Sequence, residues 1–106
     1  MRYRFMRIMV MFDLPTDTVE ERRAYRIFRK HLLKSGFFML QESIYTKLAL
    51  NQTATDAIMR NLRKVKPDKG LVQILTITEK QFSKMEILTG KFSTDLVHSE
   101  ERVIIL

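Results

Sequence analysis

Apolar and polar positions alternate along the chain in blocks of strand and helix length. Residues 5–12 form an apolar block that Asp13-Leu14-Pro15 ends, and this pattern predicts a first strand. Thr18 and Glu21 have the spacing of a capping box and predict that a helix begins there. Gly36 stands where a left-handed C-cap residue belongs, so the helix should end at about the residue before it.

The apolar residues of this first helix recur at spacings of three and four. That period predicts one buried face directed at a sheet and a polar face directed at solvent. The residues expected on the buried face are Ala24, Tyr25, Phe28 and Leu32, with Ile27 and Leu33 widening it.

The middle of the chain predicts a second strand region and a second helix. Residues 37–50 are rich in aromatic and β-branched side chains and are broken by Gln41-Glu42-Ser43, which is consistent with two short strands or one bent strand. The second helix should begin between Asn51 and Thr55 and end before Pro67. Its expected buried side is Ala54, Ile58, Leu62 and Val65.

The last third of the chain predicts one long strand and a strand-bearing extension. Gly70 precedes an apolar run over residues 71–77, and shorter strand candidates follow at residues 85–89 and 102–106. The order β-α-β-β-α-β is that of a ferredoxin-like fold of the α+β class. We therefore expect a single domain, with a ferredoxin-like part at residues 1–82 and a C-terminal strand extension at residues 83–106 for dimer or partner docking.

Both faces of the predicted sheet call for burial. The two helices of this fold cover one face of the sheet. Ile8, Val10 and Phe12 point to one side of the first strand, whereas Met9 and Met11 point to the other. The late strand repeats the pattern. A homodimer that packs sheet against sheet or exchanges C-terminal strands explains this best, and a tail folded over the second face is the alternative.

Composition excludes several classes of chemistry. The 106 residues include no cysteine and two histidines, which removes disulfides, thiolate metal sites and cysteine nucleophiles and argues against a histidine-rich zinc site. The sequence has no apolar run of the roughly 18 to 20 residues that a membrane span needs, and its N-terminus does not have a signal-peptide pattern. We therefore expect a cytoplasmic protein with no membrane association.

Charge points to polyanionic partners. Nineteen basic and twelve acidic residues give a formal net charge of +7 and a sequence pI of about 10.0. Residues 22–34 hold six basic and no acidic side chains, so like charges repel at helical spacing unless a polyanion neutralises them. A second basic cluster lies at the end of the second helix. We interpret the two clusters as a nucleic-acid surface, and a solvated helix face is the alternative. The predicted contacts are Arg22, Arg26, Arg29, Lys30 and Lys34 in the first helix and Arg60, Arg63 and Lys64 in the second.

Asp13 is the candidate catalytic and metal-binding residue. It closes an apolar strand, where a carboxylate can hold Mg²⁺ through oxygen, and a two-fold axis nearby would bring two copies together. An aspartate before Leu14-Pro15 is also an ordinary turn residue. Since no second acid stands beside it at ligand spacing, any Mg²⁺ site would be shared between subunits or weak.

Four segments together resemble the CRISPR-associated protein 2 family, in the longer form found beside single-effector (type II) nuclease systems. They are Ile8-Met9-Val10-Met11-Phe12-Asp13-Leu14-Pro15, Arg23-Ala24-Tyr25-Arg26, the run from Gly36 through Gln41-Glu42-Ser43 to Tyr45, and Leu75 to Phe82. The resemblance implies a ferredoxin-like homodimer that bridges CRISPR integrase subunits and holds the double-stranded DNA of a new spacer. It also implies a metal-dependent nuclease activity that falls to Asp13, with Mg²⁺ at the dimer axis. Phe12 replaces the tyrosine of many members, so this chain has no phenol at that position.

Three hypotheses follow. The first is a DNA-binding scaffold for spacer acquisition, in which the C-terminal residues Arg102, Val103, Ile104, Ile105 and Leu106 dock a partner chain because so apolar an end is unsuited to a free tail. The second is a Mg²⁺-dependent endonuclease, acting on DNA or RNA, that uses Asp13 paired across the dimer. The third is an RNA-binding or toxin-like ferredoxin-fold protein.

Overall fold

The computed structural model describes residues 5–91, which form one four-stranded sheet and three helices. The sheet has the order β2-β3-β1-β4, and every neighbouring pair is antiparallel. This is the ferredoxin-like arrangement predicted from the sequence. The elements are β1 (Met6–Asp13), α1 (Val19–Lys34), β2 (Phe38–Gln41), β3 (Ile44–Ala49), α2 (Gln52–Val65), β4 (Leu71–Thr78) and α3 (Glu79–Ser83).

Local capping explains where the two long helices begin. The Thr18 hydroxyl accepts the Glu21 amide hydrogen at 3.0 Å, and the Glu21 carboxylate accepts the Thr18 amide hydrogen at 3.0 Å, so the predicted capping box is confirmed. Helix α2 begins after Asn51, whose side-chain oxygen accepts from the Ala54 amide at 2.8 Å. Each cap satisfies amide hydrogens that a helix start would otherwise leave unpaired.

The helices cover one side of the sheet, which we call the inner face. Ile8, Val10 and Phe12 point to it from β1 and are buried there with residues of α1 and α2. Phe12 is the centre of an aromatic cluster, since its ring lies 5.4 Å from Phe28 and 5.6 Å from Tyr45, measured between ring centroids. Aromatic pairs at this spacing stabilise a core beyond their buried area.

The buried face of α1 is narrower than the sequence predicted. Phe28 and Leu32 are buried, whereas Ala24, Ile27 and Leu33 are exposed. A helix that lies on a sheet as one of an antiparallel pair turns only one stripe of residues toward it, and the wider set on α1 points away. On α2, Leu62 is buried as predicted. Thr55 is buried as well, and its hydroxyl donates to the Asn51 carbonyl oxygen at 3.1 Å.

The region after β4 differs from the prediction. Helix α3 follows β4 directly, because Thr78 and Gln81 form a second capping box, and the strand expected at residues 85–89 is not formed. We call the side of the sheet opposite α1 and α2 the outer face. The short helix α3 lies against this face, where Glu79 of α3 accepts hydrogen bonds from Arg7 of β1. The strand predicted at residues 102–106 lies outside the described residues.

Candidate nucleic-acid interface and the strand-end carboxylate

The predicted basic residues of α1 all lie on the exposed side of the layer formed by α1 and α2, which we call the helix layer. Helix geometry puts residues three and four apart on one face, so the packing of Phe28 and Leu32 against the sheet turns the cationic residues toward solvent. The structure therefore presents these cations on a single surface. The exposed basic residues are Arg22, Arg23, Arg26, Arg29, Lys30 and Lys34.

Two of the predicted α1 residues are already engaged within the chain. The Arg22 guanidinium donates to the carbonyl oxygens of Thr16 and Asp17, both at 3.1 Å, and so fastens the loop before α1. Arg29 lies beside the phenol of Tyr45, where burial raises the pKa of the phenol and the guanidinium opposes the rise. Arg22 thus bonds a loop of this chain, and Arg29 acts on a phenol of this chain, so the charge of both is less free to meet phosphates.

The remaining α1 cations have no counter-ion in the part of the chain that the structure describes. Within residues 5–91, no carboxylate forms an ion pair with Arg26, Lys30 or Lys34. Arg23 was not among the contacts predicted from the sequence, yet it is equally exposed and forms no ion pair in that part of the chain. The sequence already contained the information that places Arg23 on this surface. Arg23 stands seven residues before Lys30, and this spacing puts both residues on the same side of the helix.

The second basic cluster lies on the same layer. His31 of α1 and Asn61 of α2 are joined by a hydrogen bond of 2.6 Å, which ties the two helices side by side. Arg60 and Arg63 line an open groove beside β4. Lys64 is exposed one helical turn after Arg60. The helix layer thus holds both predicted clusters. Arg60 and Arg63, which line the groove, lie near β4 at the edge of the sheet.

Asp13 is exposed at the end of β1, and the backbone of this strand end has a neighbour on each side. It pairs with Leu71 of β4, and a Cβ atom added to Gly70 would lie 2.7 Å from the Asp13 carbonyl oxygen. On the other side, the amide of Phe12 donates to the carbonyl of Ser43 at 3.0 Å. Alternation along β1 directs the Asp13 side chain to the outer face, where Met9 and Met11 also point.

Asp13 alone does not fit a magnesium ion. Among the described residues no group of three or more histidine, cysteine, aspartate or glutamate side chains could hold a metal. Mg²⁺ requires six oxygen ligands in octahedral geometry, and one carboxylate per chain supplies a small share of them. A metal at this position would need ligands from a second copy, from nucleic acid or from water.

The predicted docking residues of the C-terminus lie outside the described part of the chain. What the structure does show is a possible counterpart for them. β4 is at the end of the four-stranded sheet, so one side of this eight-residue strand has no neighbour among residues 5–91. Unpaired backbone groups on such an edge can accept another strand.

Comparison with known proteins gives the family. A family model described as CRISPR associated protein Cas2 matches residues 6–85. The chain belongs to this family. Within the described residues, no helix is long and apolar enough to cross a membrane.

Several curated relatives resemble the chain over nearly its whole length. A protein of Treponema denticola is 50% identical over 101 residues, which are 95% of this chain and 100% of the relative. A Streptococcus mutans protein is 50% identical, covering 95% of this chain and 93% of its own, and a Ligilactobacillus salivarius protein is 44% identical, covering 95% and 100%. All three are named CRISPR-associated endoribonuclease Cas2.

A solved structure supports the fold. It is described as a crystal structure of Cas2 and aligns with a TM-score of 0.58 at 19% identity, covering 85% of this chain and 92% of its own. At that identity the likeness shows the fold alone.

Proposed function

We propose that the protein is a dimeric scaffold of CRISPR spacer acquisition that holds double-stranded DNA on its helix layer and bridges integrase subunits. The observation that carries this proposal is the set of α1 cations without counter-ions among the described residues. Arg26 and Lys30 are one helical turn apart, as are Lys30 and Lys34, so each adjacent pair repels in the free protein. Phosphates remove that repulsion and release condensed counter-ions on binding. The work would take place in the cytoplasm.

The arginines that contact other groups of this chain can be separated from the cations that are free to bind DNA. Arg22 bonds two carbonyl oxygens of the loop before α1, so its replacement would disturb that loop as well as any DNA contact. Arg29 lies beside the Tyr45 phenol, so its replacement would also change the surroundings of that group. Arg26, Lys30 and Lys34 offer charge with no described internal role. Phosphate contacts of this kind position a duplex without reading its sequence, which suits a protein that must accept spacers of any sequence.

The test reverses Arg26, Lys30 and Lys34 to Glu and measures binding to a duplex by fluorescence anisotropy. We expect the affinity to fall by a factor of about 100 or more at low salt, and the dependence of affinity on salt to flatten, since each lost phosphate contact removes about 0.9 from the log–log slope. The matched control reverses Lys80, Lys84 and Lys91, which gives the same net charge outside the helix layer. Equal losses in both variants would contradict the proposal, because only net charge would then matter.

Partner docking is assigned to the C-terminal residues 102–106. They would add a strand to the free edge of β4 in another chain, either a second copy or the integrase. Deleting residues 100–106 should weaken assembly, followed by sedimentation velocity, more than it weakens duplex binding. Normal assembly of the shortened protein would refute this assignment.

A Mg²⁺-dependent endonuclease that uses Asp13 paired across the dimer is the second candidate. The names of the relatives favour it, as does the exposed position of Asp13 on the outer face, where two copies could bring their carboxylates together. The Asp13→Ala variant should lose any Mg²⁺-dependent cleavage of RNA or DNA and still support spacer integration with the partner integrase. Loss of both activities in the same variant would instead make the nuclease chemistry the function.

A further inference from the structure

A small pocket lies between the end of α1, the strand β3 and the middle of α2. Its volume is about 210 Å³. Its apolar lining includes Phe37, Ile58 and Leu62, and its polar lining consists of Ser35, Lys47 and Asn61. An apolar cavity of about 150 Å³ is large enough to bind benzene. The pocket can therefore accommodate a molecule with an apolar part of about the size of one ring.

Lys47 is a cation that belongs to the inner face of the sheet. It pairs with Ile8 of β1 and alternates along β3 with Tyr45 and Ala49, which are both buried in the core. A lysine at such a position interrupts the apolar pattern of the face, and its long side chain lines the pocket. Among the described residues, no carboxylate forms an ion pair with Lys47. The pocket thus contains a positive charge without a described counter-ion.

The Lys47 ammonium is fixed by the C-terminal end of α1. Its Nζ donates to the Ser35 carbonyl oxygen at the helix C-cap, where carbonyl groups lack intrahelical partners. Gly36 leaves room for this contact, because a Cβ atom at Gly36 would lie 3.2 Å from Nζ. An ammonium group has three N–H donors, and the bond to Ser35 uses one of them. Capping of α1 therefore explains where Nζ lies and leaves two donors for another group.

The neighbouring polar side chains favour the same kind of ligand. The side-chain oxygen of Asn61 lies 2.6 Å from Nε2 of His31, so the polar group that Asn61 still has available is its NH₂ donor. The Ser35 hydroxyl lies 3.3 Å from the same histidine nitrogen. None of the described residues that line the pocket is acidic. The pocket therefore combines a cation and N–H donors with an apolar surface.

We propose that this pocket binds a small organic acid. The carboxylate would accept hydrogen bonds from Lys47 and Asn61, and an apolar body of about one ring would pack on Phe37 and Ile58. Pockets for small molecules are mostly apolar and contain a few polar groups that fix the orientation of the ligand. A cation would meet the Lys47 charge, and a bare phosphate would leave the apolar lining uncovered. The inference does not depend on the proposed function, because neither the duplex contacts nor the docking residues include Lys47.

The first test compares three probes in NMR titrations of the full chain. Benzoate has a carboxylate and a ring, benzamide has the ring without the charge, and acetate has the charge without the ring. Benzoate should shift the amide signals of Phe37, Lys47 and Ile58 with a dissociation constant of about 1 mM, which a ligand of this size can reach. Benzamide and acetate should bind more weakly by a factor of about 10 or more.

The comparison of probes can overturn the proposal in two ways. Acetate that binds as tightly as benzoate would show that a surface lysine attracts any anion and that the apolar lining contributes nothing. Benzamide that binds as tightly as benzoate would show that the charge of Lys47 contributes nothing.

The second test separates the charge of the pocket from its space. Lys47→Met removes the ammonium and keeps a long side chain, so it should weaken benzoate binding by a factor of about 10 or more and leave benzamide binding unchanged. Since Lys47 also caps α1, Ala57→Leu provides a test that leaves the cap in place. Ala57 lines the pocket from α2, and a larger side chain there should fill the space and abolish benzoate binding.

The matched control is Lys80→Met, which removes the same charge from an exposed position of α3. This variant should bind benzoate as the wild-type protein does, and circular dichroism verifies that all three variants are folded. Wild-type affinity for benzoate in Ala57→Leu, or in a folded Lys47→Met, would overturn the proposal. An equal loss of affinity in Lys80→Met would also overturn it, because the net charge alone would then govern binding.

Discussion

The two faces of the sheet are stabilised in different ways. The inner face is covered by α1 and α2 and holds the aromatic cluster around Phe12, so its apolar residues are satisfied within one chain. The outer face is covered at one end by the clasp, the contact of buried Arg7 with the Glu79 carboxylate and the Phe82 ring, and Leu71 and Leu75 remain exposed. The difference indicates a division of work, in which one side completes the domain and the other is available to another chain.

This division also separates charge from adhesion. The helices that complete the core carry Arg26, Lys30 and Lys34 on their solvent side. Nucleic acid bound there would leave the outer face free for protein contacts, so the two interactions need not compete. A scaffold that must hold a duplex and a partner at once requires that separation.

The largest expected effect comes from the inner face. Phe12→Ala removes the centre of the aromatic cluster and should cost about 3 to 5 kcal/mol of unfolding free energy. Met11→Ala, the next residue toward the N-terminus and directed to the outer face, should cost clearly less because its side chain is only half buried. Urea unfolding of both variants measures the difference. Equal losses of unfolding free energy would mean that side chains on the two faces are equally buried.

Breaking the clasp should have the next largest effect. Glu79→Gln leaves the buried Arg7 cation without a counter-ion and should destabilise the fold by about 3 kcal/mol. The double variant Arg7→Met and Glu79→Gln removes the charge as well, so it should be more stable than Glu79→Gln alone. Thermal unfolding of the single and double variants tests this order, and a double variant less stable than the single one would contradict it.

A comparison of two glycines with similar backbone angles distinguishes the cost of a steric clash from the cost of backbone strain. Gly70 and Gly90 have φ values of 91° and 93°, but a Cβ at Gly70 would lie 2.7 Å from the Asp13 carbonyl oxygen, whereas one at Gly90 would meet nothing within 4 Å. Gly90→Ala should cost about 1 kcal/mol from strain, and Gly70→Ala should cost about 1 to 2 kcal/mol more. Similar melting temperatures for both variants would show that the turn at Gly70 yields easily.

The smallest expected effect concerns the start of α1. Thr18→Ala should cost about 1 kcal/mol by removing the hydroxyl from the capping box. Hydrogen bonds from the Thr18 backbone lower the pKa of Glu21 below its ordinary value of 4.5. A depressed pKa stabilises the fold above the unfolded-state value, and that contribution disappears as pH falls through the folded-state value. The stability difference between the wild-type protein and Glu21→Gln should therefore shrink in acid, and a difference that grows there would refute this account.

The amino-acid sequence alone determined the order of the elements from β1 to β4 and the starts of the two long helices. Thr18 and Glu21 predicted the start of α1, Asn51 was among the predicted starts of α2, and the apolar run from residue 71 predicted β4. These features depend on contacts within a few residues, so local pattern contains the information. The cationic character of the helix layer was also predictable, because charge does not depend on folding.

Only the tertiary structure decided how the individual side chains are used. Ile27 and Leu33 were expected to be buried and are exposed, because the width of the sheet limits how much of α1 can face it. Arg22 and Arg29 fit the basic pattern as well as Lys30 does, yet they bind groups of this chain. The clasp joins Arg7 to Glu79, which are 72 residues apart in the sequence. No local pattern specifies such a contact, because it exists only after the antiparallel pairing of β1 with β4 has brought the two ends together.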